Sequence, residues 1–560
     1  MVDLKAKPFY LNDEQEKWVY DTLNSMTLEE KCGQTLLIVG FGKSDEELLD
    51  LYKKVHYGGI MHRPGPAKEI KERNDLMQKE VKVPLLVAAN MEFGGQGVAV
   101  DGTFFSNQIG IAATGDPHEA YNLGDICGAE ARAVGVTYAF APVVDIDMNW
   151  RNPITNTRVY GSDPNMVKEC GLEYLRGIRQ HNVAVSIKHF PGDGVDERDQ
   201  HILPSVNSLS CEDWDKTYGM IYQALIDEGA RTVMAGHIMQ PAYTRHFSPG
   251  IKDEDIMPAT LSKELITDLL RGKLGFNGVV CTDAANMVGM CCMMEREKLV
   301  PHCIQIGCDI FLFGRNVEED HEYLVEGVKN GLLTEERLDE AVTRILALKA
   351  SLNLNGTEKF TDENYMDVIS CEDHLHRADV VADKAITLVK DTQQLLPVTP
   401  EKYPKILLSM IEDDGFMVKT TCGEIVKEEL ERAGFEVELM PKDVDLMYTQ
   451  IPVKDYKKKC DLLLYVANIA NASYQTVARV RWTMPAAFNA PYYIKDIPTA
   501  FISVANPYHF VDVPMIRTII NAYSSNRASI RAAIEKMMGK SEFKGTSPVD
   551  PFNGFFGKDI

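Results

Sequence analysis

The stretch of this chain richest in reactive side chains runs from Lys188 to His201 and reads Lys-His-Phe-Pro-Gly-Asp-Gly-Val-Asp-Glu-Arg-Asp-Gln-His. An apolar run leads into Lys188 and His189, and Pro191-Gly192 then turns the chain into a loop. That loop ends on Asp199 and His201, two residues apart. A carboxylate at this spacing can bond one ring nitrogen, fix the tautomer and stabilise the imidazolium. The other nitrogen is left to give or take a proton near neutral pH. Other apolar runs also end on polar residues, at Asn90, at Asp145 with Asp147, at His237 and at Asp283. Each alone would serve to cap a following helix; brought to one mouth, they would form a polar ligand site.

The elements that must position these residues can be read from the apolar pattern. Eight short runs precede residue 320, at 36–39, 59–62, 84–89, 137–144, 184–189, 232–237, 279–282 and 309–313. Several are apolar almost throughout, as parallel strands buried on both faces should be. Helical patterns separate them, as at 262–271, where Ser262 can cap and Leu265, Ile266, Leu269 and Leu270 share a face. Eight strands alternating with helices predict an α/β fold with an N-terminal (β/α)8, or TIM-type, barrel. A helix over 334–352 closes it, with Glu335 and Glu336 early and Arg344 and Lys349 late, an order that suits the helix dipole. Residues 1–355 are the expected catalytic barrel and 356–375 a linker, next to the turn-rich Asn-Leu-Asn-Gly-Thr at 353–357. Residues 376–560 should form a smaller open α/β sandwich domain, with strand-like runs at 405–409, 435–440, 462–466 and 499–504, a helix over 424–433 and an irregular tail after Lys540.

Bulk properties narrow the function. At 560 residues the chain is too long for one ordinary domain, and 45% apolar with 25% charged residues is globular composition. A formal charge of −23 argues against nucleic acid or an anionic membrane as partner. No signal-peptide core and no apolar run of spanning length is visible. The 12 cysteines include no C-x-x-C pair, so reduced thiols and a cytoplasmic location are expected. Met287, Met290, Met293 and Met294 beside Cys291-Cys292 read as packing, not as a soft-metal site. Neither Gly58-Gly59 nor Gly94-Gly95 opens a phosphate loop. No metal and no organic cofactor is implied.

With these residues in view, the chain resembles the β-N-acetylhexosaminidase branch of glycoside hydrolase family 3. That branch carries K-H-F-P-G-x-G followed by D-x-H, with the His thirteen residues after the Lys, as from Lys188 to His201. A strand ending in Thr-Asp appears as Val-Val-Cys-Thr-Asp at 279–283, and N-x-R-x-[FY]-G-x-D-P appears as Asn-Thr-Arg-Val-Tyr-Gly-Ser-Asp-Pro at 156–164. Pro-Ala-Thr-Leu-Ser at 258–262 follows in the family's order. Two departures bear on the sugar. Where the family reads D-Q-E-G-G-R, this chain has Asn90-Met91-Glu92-Phe93-Gly94-Gly95-Gln96, without the charge at Asn90 and without the arginine. The usual His of the K-H-F-P-G-H-G loop is Asp193, a change without an evident catalytic consequence in the sequence.

The resemblance implies a retaining enzyme in which Asp283 attacks the anomeric carbon and His201, oriented by Asp199, protonates the departing oxygen. Arg158, Lys188, His189 and Asn90 would hold the sugar, and Glu92 would either join them or brace them. His237 reads as a supporting or packing residue. The expected substrate is a small carbohydrate, a GlcNAc-containing glycoside or cell-wall fragment, with terminal β-linked N-acetylhexosamine released to water. A glycoside phosphorylase on the same site is the second reading, since neutral imidazole repels an incoming phosphate less than a carboxylate would. A β-glucosidase and an inactive sugar-binding protein stay open behind it.

Overall fold

The computed structural model describes residues 2–356, 361–412, 421–440, 452–482, 487 and 489–560. Part of the expected linker, residues 357–360, lies outside them. The chain divides into two compact units, one of residues 1–104, 120–152 and 163–374, the other of 105–119, 153–162 and 375–560. Two stretches inside the expected barrel domain thus belong to the second unit, and Arg158 is in one of them.

The first unit is a closed parallel barrel: β1 (Leu36–Val39), β2 (Gly59–Met61), β3 (Leu86–Ala89), β4 (Tyr138–Ala139), β5 (Ala184–Phe190), β6 (Thr232–Ala235), β7 (Val279–Ala284) and β8 (Ile310–Leu312). Each strand pairs with its successor, as Ile60 with Val87 and Val233 with Val280, and β8 closes on β1 through Leu36 and Phe311. Val87, Val185, Ile187, Val233, Val280 and Phe311 are all buried, which is why these runs alternate so little. Burying one such side chain contributes roughly 1.5–3 kcal/mol. β4 is far shorter than the run 137–144. Pro142 has no N–H to give to the ladder, and the segment rejoins β5 only at the Val143–Lys188 bridge. Caps fix the helix starts: Asn12, Thr27 and Ser44 each accept from the backbone three residues on in reciprocal capping boxes, and Thr334 caps the helix Glu335–Ser351. The helix predicted at 262–271 forms as Glu264–Lys273 with the wider i to i+5 hydrogen bonding, its start bonded by Ser262.

The second unit holds a six-stranded sheet. Its strands are β9 (Thr387–Asp391), β10 (Lys405–Glu412), β11 (Glu436–Leu439), β12 (Leu462–Asn468), β13 (Thr499–Ser503) and β14 (Thr518–Asn521), in the order β9-β14-β13-β12-β10-β11. Only β9 runs antiparallel, against β14. Alternate residues build two cores: Ile406, Leu408, Leu464 and Ile502 on one side, Leu407, Leu463, Tyr465 and Phe501 on the other. A sheet covered on both faces needs both sets apolar, and the sequence pattern shows it.

Candidate active site

Among the barrel residues, the polar strand ends gather at the C-terminal edge, the side on which parallel barrels carry their chemistry. β7 ends in Asp283 and Ala284, and the Ala284 N–H donates to Asp283 Oδ1 at 2.7 Å. The Asp283 side chain is 15% exposed, with His189 Nε2 at 3.9 Å from its Oδ2. Burial by itself would raise this carboxyl. The imidazoles of His189, His237 and His201 and the Ala284 N–H outweigh it and hold Asp283 below the usual carboxylate range. It is an ionised carboxylate at the mouth of the barrel.

β5 delivers Lys188 and His189. The Lys188–His189 and Phe190–Pro191 peptides are both cis. His189 Nδ1 donates to Asp145 Oδ2 at 2.6 Å, and its backbone N–H donates to Asp145 Oδ1 at 3.1 Å. That pairing turns Nε2 towards Asp283. Lys188 Nζ lies 2.7 Å from Glu92 Oε1, both side chains almost fully enclosed. Glu92 is thus the ion-pair partner of Lys188. Asn90 follows directly on β3 and is partly buried.

The loop after β5 carries Asp199 and His201. His201 Nδ1 donates to Asp199 Oδ1 at 2.7 Å, and the His201 N–H reaches the same oxygen at 2.8 Å. Asp199 is buried, while the His201 side chain is 19% exposed. With Nδ1 committed to Asp199, exchange with a substrate falls to Nε2. The loop is anchored on its far side where the Val288 N–H donates to the His201 carbonyl at 3.0 Å. Gly192, at φ 118°, opens it; a Cβ there would stand 2.1 Å from the Tyr218 ring.

Three supporting residues complete the arrangement. His237 Nε2 donates to the Ala284 carbonyl at 3.0 Å, and its Nδ1 is hydrogen-bonded to the Thr260 hydroxyl at 3.0 Å. Burial lowers the pKa of His237 against the pull of Asp283. Asp145 and Asp193, buried behind the loop, meet where the Asp193 N–H donates to Asp145 Oδ1 at 2.7 Å. The sequence marks Asp145 as a strand-end acid but does not pair it with His189, because the two are 44 residues apart and only the β4–β5 neighbourhood joins them. Gln200, also buried, gave no signal at all.

Arg158 stands apart from this list. It lies in the turn Asn156–Arg158 of the second unit, where Asn156 Oδ1 accepts from Asn506 and the Thr157 hydroxyl donates to Asn471, each at 2.6 Å. Among the described residues, no group of three or more His, Cys, Asp or Glu is arranged to hold a metal ion. No helix among them is long and apolar enough to cross a membrane.

An ionised carboxylate on a strand end and a tautomer-fixed imidazole on a neighbouring loop can together perform nucleophilic displacement with proton transfer to the leaving group. Comparison with known proteins points the same way. Residues 27–348 match the family described as Glycosyl hydrolase family 3 N terminal domain. A Beta-N-acetylglucosaminidase/beta-glucosidase of Cellulomonas fimi is 42% identical over 558 residues, 99% of either chain. The solved structure of Beta-glucoside phosphorylase BglX is 45% identical and covers 99% of both chains with a TM-score of 0.93. A β-N-acetylglucosaminidase of the same family from Paenibacillus sp. str. FPU-7 shares the fold, with a TM-score of 0.81 over 94% of this chain and 99% of its own at 24% identity.

Proposed function

Since the chain belongs to glycoside hydrolase family 3 and acts on β-linked sugars, we propose that it is a retaining enzyme transferring a terminal gluco-configured sugar, through a glycosyl ester on Asp283, to inorganic phosphate. The observation that carries this reading is the acid–base group: the Asp199-bonded imidazole of His201 stands where most glycosidases use a second carboxyl group. In the first step the Asp283 carboxylate bonds to the anomeric carbon and the aglycone oxygen leaves with the proton from His201 Nε2. In the second, a phosphate oxygen bonds to that carbon, Asp283 departs as carboxylate, and the phosphate proton passes to His201. Two inversions retain the donor's configuration. Once neutral, the imidazole adds no negative charge at the acceptor side, so a dianion is opposed less than it would be by two carboxylates. His189, held by Asp145, and Lys188, braced by Glu92, supply fixed donors to sugar hydroxyls. Asn90 and Arg158 belong to the same sugar-binding role by family position.

Here the acceptor departs from the sequence expectation of water. The support is the 45% identity, over nearly the whole of both chains, to a structure titled as a β-glucoside phosphorylase. For the sugar, the Cellulomonas fimi relative is named for both N-acetylglucosaminides and glucosides. With Asn90 uncharged, this chain should likewise take both, their kcat/KM values falling within about tenfold of one another. The test is product analysis with nitrophenyl β-glucoside and β-N-acetylglucosaminide, with and without millimolar phosphate. Sugar 1-phosphate as the dominant product, with a phosphate-dependent rate, is expected. Free sugar alone at a phosphate-independent rate would return the enzyme to the hydrolases, with terminal β-N-acetylhexosamine as the substrate read from sequence.

A further inference from the structure

Asp193 takes the place of the histidine usual in this loop, and each of its polar groups holds a different segment. Its N–H donates to Asp145 Oδ1 at 2.7 Å, and its carbonyl accepts the Tyr218 hydroxyl at 2.6 Å. Oδ1 accepts Asn152 Nδ2 at 2.8 Å and the Gly194 N–H at 2.7 Å. The same Asn152 nitrogen donates to the Asp196 carbonyl at 2.8 Å, which pins the near end of the acid–base loop. Oδ2 accepts Gln200 Nε2 over a longer 3.4 Å. The Gln200 amide cannot turn to suit a different partner, because its Oε1 accepts the His237 N–H at 2.8 Å. Nε2 must then face Asp193, and Oδ2 must be an acceptor. Gln200 is the residue between Asp199 and His201, so this contact fixes the backbone on which both catalytic groups are carried.

We propose that Asp193 is a positioning residue: as a carboxylate it holds the Asp199–His201 loop in register with the Asp145–His189 pair beside Asp283, and uptake of a proton releases that loop. The proposal rests on the reading of His201 as acid–base group. The titratable groups facing Asp193 are Asp145 from the segment after β4, His189 from β5, Tyr218 from the turn of helix at 215–219 and Tyr222 from the helix that follows it, with Asp147 acting on Tyr218; Asn152 and Gln200 face it as neutral amides. Burial, then the Asp145 charge, push the Asp193 carboxyl up to about 7, with His189 drawing it back. The release therefore falls near neutral pH. It makes an acid limb that the depressed Asp283 carboxyl does not supply.

Asp193→Asn tests this, because its amide would set a donor against the Gln200 donor at every pH. The measurement is kcat/KM from pH 5 to 9 in the full-length enzyme, on a nitrophenyl and on an alkyl β-glucoside. A nitrophenolate leaves without a proton; an alkoxide does not. We expect the variant to lose about tenfold or more on the alkyl substrate at pH 8, part of the 10²–10⁴ that acid–base catalysis supplies. It should stay within about threefold on the aryl one, and its acid limb near neutrality should vanish. A wild-type pH profile with a wild-type aryl-to-alkyl ratio would overturn the proposal. Gln200→Met, which keeps the carboxylate and removes the donor, decides the matter if Asp193→Asn fails to fold: the same split supports the proposal and an unchanged ratio overturns it. His201→Ala, run in parallel, separates the two levels. If it shows no aryl-to-alkyl split, the acid–base reading itself falls and this inference with it. If it shows the split and neither other variant does, only the role of Asp193 falls.

Discussion

The barrel holds two carboxylates, Asp283 and Asp309, that stay ionised against the pull of burial through different partners. Asp309 sits at the N-terminal edge, one residue before β8, with its side chain fully enclosed. Its Oδ2 accepts Arg271 at 2.7 Å and the Val280 N–H at 2.9 Å, its Oδ1 accepts Arg337 at 2.8 Å, and Arg344 stands 3.8 Å away. Guanidinium charge does not come and go in this pH range, so the cluster locks the helices bearing these arginines to the strand ends. Asp283, at the C-terminal edge, is surrounded by imidazoles, the ion-pair partner His189 at 3.9 Å and the described hydrogen bond a short one to its own neighbour's N–H. Histidines keep it charged from farther off, His189 Nε2 standing 3.9 Å away. The same element of chemistry, a depressed carboxyl, is a fastener at one end of the barrel and, in the proposed mechanism, a nucleophile at the other. What separates the two is whether the partners can lose their protons.

Substitution at the two positions should therefore fail in different currencies. Asp283→Asn should cost on the order of 10⁴-fold or more in kcat while the unfolding midpoint in urea stays near wild type; near-wild-type turnover in a folded variant would erase the distinction. Asp309→Ala leaves three guanidiniums around an empty centre, so a loss of about 3–5 kcal/mol in unfolding free energy is expected, with kcat of the remaining folded enzyme largely kept. An unchanged midpoint with lost kcat would mean that the N-terminal cluster reaches the chemistry. The smallest effect is the most selective. His201→Ala should reduce kcat/KM on alkyl glycosides by about 10²-fold or more and leave aryl glycosides little changed, since Asp283 attacks either one in the same way.

How much of this was legible in the sequence follows from what each feature depends on. The barrel strands were, because a strand buried on both faces has to be apolar almost throughout, as 279–281 is and 184–187 is but for Ser186. The extent of β4 was not: the apolar run continues past Pro142, while the ladder breaks there for want of an N–H. In the second unit the four parallel runs were readable, but the short edge strand β9 and its neighbour β14 were not, since Thr-Leu-Val-Lys-Asp at 387–391 is half polar and only its antiparallel partner makes it a strand. Asp199 and His201 could be joined on paper because they are two residues apart. Asp145 with His189, and Asp193 with Asn152 and Gln200, are contacts between segments, and no spacing rule reaches across them. The replacement of histidine by Asp193 was visible in the sequence as a departure; its meaning depends on partners only the fold supplies.

The central claim is that the sugar is carried on Asp283, and covalent trapping addresses it directly. A 2-fluoro-glucoside with an activated leaving group should form its ester quickly and break it slowly, so intact-mass measurement should show one added fluoroglucosyl group per chain. Peptide mapping should place that group on Asp283, phosphate should speed its loss, and Asp283→Asn should take up none. A label on another carboxylate such as Asp145 or Glu92, or no label while the substrate turns over at an undiminished rate, would contradict the account.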